Sequence, residues 1–275
     1  MSNKSNPYIF VILVVLALVF VFPFVYLVGG SLKTNQEALT SPATVFPSQP
    51  HFENYVDVTK VINLPLMTLN SSIMTFSVTF GQILVSALAG YAFARIKFIG
   101  RDVVFLIFLA TLIVPFEVLF VPLYLMLSQW GWINTYWALI IPSLGNPFAI
   151  FMFRQFFITV PLELEEAMTL DGAGYLRIFW NLMLPLSGPA AASVFILTWL
   201  AEWSTLLKPM LFTTSDTMRT LQVGLQFLNR GSQVSTPTIA WLMAGIALAS
   251  VPAIVMFLIL QKRFVESIAA TGLKG

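Results

Sequence analysis

Six long runs of apolar residues divide this chain, and each is long enough to cross a lipid bilayer as a helix. A transmembrane helix needs about 20 consecutive, mostly apolar residues. The runs lie near 8–28, 68–94, 103–127, 136–157, 186–206 and 238–260. We therefore predict an all-α integral membrane protein of the cell membrane, with six transmembrane helices in a single transmembrane domain over 1–275.

The composition agrees with this prediction. Of the 275 residues, 58% are hydrophobic and only 9% are charged, whereas a soluble domain is about 25% charged. A net charge of +2, without a basic run interleaved with aromatics, gives no indication of nucleic-acid binding. The chain has no Cys and one His, His51, which excludes thiolate chemistry and multi-histidine metal sites. The first run is long for a signal peptide and lacks an A-x-A cleavage site, so we expect a retained anchor.

Lys and Arg residues predict the orientation, because cytoplasmic loops carry an excess of them. With a cytoplasmic N-terminus, nine fall inside, namely Lys4, Arg95, Lys97, Arg101, Arg154, Arg177, Lys262, Arg263 and Lys274. Five fall outside, namely Lys33, Lys60, Lys208, Arg219 and Arg230. Both termini are therefore predicted to be cytoplasmic. The external loops are then 29–67 and 207–237, and the cytoplasmic parts are the loop 158–185 and the tail 261–275.

The cytoplasmic loop 158–185 is unusually rich in charge. Four of the twelve acidic residues of the chain lie between Glu163 and Asp171. Pro161 suits the first turn of a helix, the glutamates suit its N-terminal dipole, and the pair Asp171–Gly172 is typical of its end. The loop has 28 residues, whereas a bare helix connection has about two to eight. We therefore favour a short amphipathic helix that docks on a partner over a solvated connector.

The spacing within this loop resembles the signature of the permease subunits of ATP-binding-cassette importers. That pattern is Glu-Ala-Ala, three residues, Gly, nine residues, an apolar residue, one further residue and Leu-Pro. Here it runs through Glu166-Ala167-Met168, Gly172, Leu182 and Leu184-Pro185, with Met168 in place of Ala and Leu182 in place of Ile. The stretches "RIKFIGRD", "VPLYLMLSQWGWINTYWALIIP", "FRQFFITVP" and "TGLKG" resemble the maltose-type carbohydrate permease family, from about the second span to the C-terminus.

The resemblance implies that a coupling helix between spans four and five sits in a groove of a separate ATPase. The residues assigned to this coupling are Glu165, Glu166, Ala167, Met168, Asp171, Gly172, Leu184 and Pro185. The implied partners are a second homologous permease, two ATP-binding-cassette ATPase subunits and an extracytoplasmic substrate-binding protein. The chain has no G-x-x-x-x-G-K-[ST] stretch. We therefore expect it to be non-catalytic and to bind no cofactor, with ATP and Mg on the ATPase.

Two carboxylates in the spans are candidates for the solute pathway, because such groups are costly in a membrane. Glu117 lies mid-span and Glu202 lies near the outer end of a span. A cation on a neighbouring helix would explain either carboxylate equally well, and interfacial exposure would explain Glu202. Tyr124, Trp199 and Trp203 are candidates for stacking on sugar rings, although aromatic residues in spans commonly serve packing.

These features predict half of the translocation pathway of an importer for a sugar or oligosaccharide. No Arg or Lys lies mid-span, which favours a neutral solute over an anionic one. A glycerol-phosphate-like solute stays an alternative, because the partner permease could supply cations. An alternative of another class is a self-contained secondary transporter, which would need coupling groups and internal repeats. An intramembrane hydrolase is excluded, because His51 lies outside the spans and no span interior holds an Asp.

Overall fold

The computed structural model describes residues 7–229 and 239–272, and every regular element in those ranges is helical. In chain order the α-helices are α1 (Pro7–Ser31), α2 (Asn35–Thr40), α3 (Asn54–Val61), α4 (Leu64–Arg95), α5 (Arg101–Ala110), α6 (Phe120–Gln129), α7 (Tyr136–Ile140), α8 (Pro147–Thr159), α9 (Leu162–Leu170), α10 (Tyr175–Ile178), α11 (Leu184–Leu186), α12 (Gly188–Ser204), α13 (Leu207–Phe212), α14 (Leu221–Asn229) and α15 (Ile239–Gly272). The 3-10 turns are Thr111–Ile113, Phe116–Leu119 and Ile141–Ser143, and a π-helical segment covers Phe179–Met183.

Among the described residues, three helices are individually long and apolar enough to cross a bilayer: α1, α4 and the Ile239–Gln261 part of α15. The 32 residues of α4 extend for about 48 Å at 1.5 Å per residue. The apolar window of α1 has no buried residue, whereas 44% of the corresponding window of α4 is buried. The surface of α1 is therefore suited to lipid, while α4 is a core element of the fold.

Three further apolar segments are each bent at a short break. The pairs are Arg101–Ile113 with Phe116–Gln129 at 92°, Tyr136–Ser143 with Pro147–Thr159 at 44°, and Tyr175–Leu186 with Gly188–Ser204 at 73°. Pro115, Pro147 and Pro189 lie at these breaks, where proline lacks the amide that would continue the hydrogen-bond ladder. The six predicted spans overlap the three long helices and these three pairs. The third pair, however, begins at Tyr175, inside the stretch predicted as a cytoplasmic loop, and the number of spans is six only if each bent pair crosses the membrane once.

The chain divides into two compact units, the first formed by Met1–Thr68 with Leu221–Pro252. Its segment after α1 is ordered around Lys33, whose side chain is 2% exposed. The Lys33 ammonium donates to the carbonyl oxygens of Ser41 at 2.9 Å and Thr44 at 2.6 Å. These bonds satisfy a buried cation without a carboxylate contact and fold the segment back on itself.

The second unit is formed by Leu69–Thr220 with Ala253–Gly275. Its main core is aromatic and lies where α4, α8 and the loop 158–185 meet. The Tyr91 ring centroid is 6.0 Å from that of Phe157 and 5.7 Å from that of Phe179. Because Phe157 precedes the loop and Phe179 lies near its far end, a single ring of α4 joins the two ends of the loop.

Helices α4 and α8 approach each other closely at Gly90. A Cβ atom on Gly90 would lie 2.7 Å from the Cβ of Phe153 and 2.9 Å from the amide nitrogen of Arg154. Only a residue without a side chain fits such a contact. The two helices are therefore packed backbone against backbone in this region of the core.

Candidate functional site

Helix α9 is formed by local sequence signals at both ends. Pro161 precedes it and its first turn is acidic, as the helix dipole favours. At the other end, Gly172 has a left-handed φ of 77°. Its amide donates to the Thr169 carbonyl at 3.0 Å, and the Ala173 amide donates to the Met168 carbonyl at 2.9 Å. These two bonds form a Schellman cap, which ends the helix where glycine is best tolerated.

The residues assigned to coupling are divided between two faces of α9. Glu165 turns inward with a side chain that is 13% exposed, and Met168 packs against the aromatic core. The rest of the helix surface is exposed, and we refer to it as the outer face of α9; it comprises Leu162, Glu163, Leu164, Glu166, Ala167, Thr169 and Leu170.

The remaining assigned residues lie at the ends of the loop. Asp171 and Gly172 are exposed beside the outer face of α9, and Pro185 is exposed near the break before α12. Leu184 packs against the aromatic core. The assigned set is thus a mixture of surface residues and residues that hold the loop to the core.

The outer face of α9 is more apolar than a solvated loop requires. Leu170 is 89% exposed, and Leu162 and Leu164 are also exposed. Tyr175 and Leu176 of α10 add further exposed apolar area within the same loop. Several large apolar side chains of this one loop are therefore exposed to its surroundings.

The inward side of α9 is held by an ion pair with the last residue of α4. The Arg95 Nε atom lies 2.7 Å from the Glu165 Oε1 atom, and the two side chains are 9% and 13% exposed. An Arg95 Nη2 group also donates to the carbonyl oxygen of Val160. Burial raises the pKa of Glu165, while the charge of Arg95 opposes that rise.

A polar pocket of about 120 Å³ lies in the same unit and is lined in part by Gln82, Asn146, Thr198 and Glu202. The Gln82 amide nitrogen donates to the Ser143 carbonyl at 2.8 Å. Its oxygen accepts from the Asn146 amide at 3.3 Å and from the Thr198 hydroxyl. These contacts place neutral donors and acceptors from α4, the N-cap of α8 and α12 on one side of the pocket, and the rest of its lining is apolar, namely Phe148, Ala149, Val194, Leu197 and Ala201.

The carboxylate of this pocket is paired. Glu202 Oε2 lies 2.5 Å from the Nζ atom of Lys208, and the side chains are 15% and 3% exposed. Lys208 also donates to the Ser143 hydroxyl at 2.8 Å. The sequence left three explanations for Glu202: a role in the solute pathway, a paired cation, or exposure at the membrane interface. The structure shows the paired cation, which is Lys208 of α13.

The other pathway candidates do not line this pocket. Trp199 and Trp203 are buried and stack on each other, with ring centroids 5.3 Å apart and planes inclined by 6°. Tyr124 stacks on Phe212 at 6.5 Å. Glu117 lies in an exposed 3-10 turn. Among the predicted pathway residues, Glu202 is the one that the structure brings to the pocket.

Sequence reasoning missed Gln82, Asn146, Thr198 and Arg95 as site residues. A detectable signal existed in α4, where buried polar residues recur every three or four positions, namely Ser71, Thr75, Thr79, Gln82 and Ser86. That spacing places them on one helical face, as the period of an α-helix dictates. A polar stripe on an otherwise apolar span indicates a buried polar interior.

The arrangement of helices is shared with a solved membrane transporter. A solved structure described as a bacterial ABC transporter involved in the import of the acidic polysaccharide alginate has the same fold, with a TM-score of 0.78. The match covers 95% of this chain and 98% of that chain at 22% identity. Residues 82–269 match the family described as binding-protein-dependent transport system inner membrane component, and the chain belongs to that family.

Curated relatives are similar over their whole length. The chain is 31% identical to the arabinooligosaccharides transport system permease protein AraQ of Halalkalibacterium halodurans, with all of both proteins covered. It is 32% identical to the sn-glycerol-3-phosphate transport system permease protein UgpE of Yersinia pestis, with 97% and 98% covered. The chain is thus a membrane-embedded permease component of an importer that depends on a binding protein.

Proposed function

We propose that this chain forms half of the translocation pathway of an ATP-driven carbohydrate importer and is itself non-catalytic. ATP and Mg would be bound by separate ATPase subunits, with which α9 acts as the coupling helix. The observation that carries the proposal is the division of α9 into an exposed apolar face and a face held to the core. A helix with those two faces can bind the ATPase on one side and transmit the movement of the ATPase to the core of this chain on the other.

The docking proposal uses the outer face of α9. Leu162, Leu164 and Leu170 would be removed from water on binding, which stabilises a complex by about 25 cal/mol per Å² of apolar area. Glu166 lies on the same face and would meet a polar or cationic group of the ATPase. Small Ala167 lets a groove wall approach the helix backbone closely.

The polar pocket supports a neutral solute. Its wall presents amide and hydroxyl groups, and its one carboxylate is compensated by Lys208. A phosphate would require cationic donors free to contact it. With a volume of about 120 Å³, the pocket is smaller than a typical ligand site of about 300–1,000 Å³. We infer that it supplies part of a sugar-binding surface, which a second permease completes.

A glycerol-phosphate-like solute is the second candidate. It is favoured by the relatives named as sn-glycerol-3-phosphate permeases, which are 31–32% identical to the chain. In this case the cations would come from the partner permease or from rearrangement of the Glu202–Lys208 pair. The AraQ relative and the charge balance of the pocket favour carbohydrate.

The topology that we propose has six spans with both termini in the cytoplasm, so that α9 faces the ATPase. The external loop 207–237 would contact the substrate-binding protein on the outer side. Residues 230–237 of that loop, like 273–275 of the tail, lie outside the described residues.

The proposal is tested by purifying a tagged form of the chain from its native membrane. We expect a second, homologous permease and two copies of an ATPase to co-purify, and ATP-dependent uptake in proteoliposomes to require all of these and the binding protein. Accumulation of solute against a gradient by the chain alone, without ATP, would contradict the proposal and indicate a secondary transporter.

A further inference from the structure

We propose that the Arg95–Glu165 ion pair is a positioning element that ties α9 to α4, so that a displacement of α9 moves α4 and the wall of the polar pocket. This inference rests on the proposed function. It assigns Glu165 a role different from that of its neighbour Glu166, because the Glu165 side chain is largely buried against the core whereas Glu166 is exposed.

The first support is the geometry of Arg95, which holds the loop at two points. Its Nε atom is 2.7 Å from Glu165 in the first turn of α9. Its Nη2 group donates to the carbonyl oxygen of Val160, which precedes the Pro161 that opens the helix. One guanidinium therefore contacts both the segment that enters α9 and the helix itself, in the fork geometry particular to arginine.

The second support is burial. The side chains of Arg95 and Glu165 are 9% and 13% exposed, so most of their surface is already covered by this chain. Tyr91, one turn before Arg95, packs against the core in the same region. Because other parts of this chain already cover the Glu165 carboxylate, little of it is left to contact an ATPase. Its position is suited to joining α9 to α4.

The third support is the continuity of α4. Gln82, which lines the pocket, lies thirteen residues before Arg95 in the same unbroken helix. That separation is about 20 Å at 1.5 Å per residue. At Gly90, between these two residues, α4 contacts the backbone of α8. A helix without a break transmits a displacement of one end to the other, whereas three other apolar segments of this unit are bent.

A second arginine of the region does not duplicate this contact. Arg154 donates to the Phe93 carbonyl at 3.3 Å and lies 4.3 Å from the centre of the Phe105 ring. Its Nη2 atom is 3.7 Å from Asp102 of α5. Arg154 thus connects α8 with α4 and α5. Within the part of the chain that the structure describes, Arg95–Glu165 is the ion pair that joins α4 to α9.

The test compares Glu165→Gln with Glu163→Gln in the full transporter, reconstituted in proteoliposomes with its ATPase and binding protein. Both variants remove one carboxylate from the first turn of α9, but Glu163 is exposed. We expect Glu165→Gln to lower the solute transported per ATP by about 2- to 30-fold, the range seen when coupling between sites is disturbed. The ATPase should still co-purify with Glu165→Gln. Glu163 lies on the outer face that is proposed to bind the ATPase, so Glu163→Gln should leave the solute transported per ATP unchanged, and any effect of it should fall on ATPase co-purification.

A charge exchange separates positioning from general damage. The double variant Arg95→Glu/Glu165→Arg restores opposite charges at the two positions and should recover part of the transport per ATP lost in each single variant. The inference is overturned by normal transport per ATP in Glu165→Gln, by loss of ATPase co-purification in that variant alone, or by a double variant no better than the singles. Failure of the wild-type complex to couple ATP to uptake would instead count against the proposed function.

Discussion

A lysine in a loop predicted to face water, Lys208, is 3% exposed in the structure and lies 2.5 Å from Glu202. The distribution of Lys and Arg along the chain placed Lys208 in an external loop. Such a count treats every loop residue as exposed to solvent. The burial of Lys208 depends on α13, which continues beyond the predicted span and brings the ammonium back to Ser143 and Glu202. No local pattern in the sequence carries that information.

The Glu202–Lys208 pair predicts a large effect of single substitutions. Lys208→Met should lower the free energy of unfolding by about 3–5 kcal/mol, because it leaves a carboxylate buried without its partner. The double variant Glu202→Gln/Lys208→Met should recover most of that loss. Thermal unfolding of the detergent-solubilised protein measures both.

The matched control for this pair is Lys60→Met. Lys60 is 69% exposed and pairs with Asp57 within α3, so its loss should change the free energy of unfolding by less than about 1 kcal/mol. A Lys208→Met variant as stable as Lys60→Met would show that the buried pair contributes nothing to stability.

At the scale of elements, the ends of α9 could be predicted but its orientation could not. Pro161 and the acidic first turn define its start, and the Asp171–Gly172 pair defines its end, all within one short segment. The inward face is set by Arg95, which lies seventy residues before Glu165 in the chain. The sequence therefore grouped Glu165 with Glu166, although the structure places them on different faces.

The cap of α9 predicts a difference between two exposed glycines. Gly172 has a φ of 77°, so Gly172→Ala forces a left-handed conformation at a cost of about 1–2 kcal/mol. Gly174 has a φ of −81°, and a Cβ there meets nothing within 4 Å. We expect faster amide hydrogen exchange in α9 and weaker solute-stimulated ATP hydrolysis for Gly172→Ala, but not for Gly174→Ala. Equal behaviour of the two variants would contradict a role for the left-handed cap.

At the scale of the whole molecule, the helical class follows directly from six apolar runs. The internal breaks do not, because an apolar run of 20 or more residues has the same composition whether it is straight or bent. Pro115 lies at one of the breaks, but a proline alone does not determine a bend as large as the 92° found there. Hydropathy likewise gives no sign that the chain divides into two units.

The charge balance of the polar pocket predicts the solute preference of the assembled transporter. Uptake of a neutral oligosaccharide should continue unchanged in an excess of glycerol 3-phosphate or inorganic phosphate, because the pocket offers neither anion an uncompensated cation. Radiolabelled uptake in proteoliposomes, with and without the competing anion, measures this. Strong inhibition by glycerol 3-phosphate but not by inorganic phosphate would favour the second candidate solute.

The Tyr91 ring, which packs against Phe157 and Phe179 at the two ends of the loop 158–185, limits how this permease can be recombined with its relatives. A chimaera that receives the loop alone would carry the outer face of α9 without the tyrosine and arginine that seat it. The smallest transplantable module is therefore the loop together with the last two turns of α4. To make this permease work with the ATPase of a related importer, the loop and the last two turns of α4 would have to be transferred together.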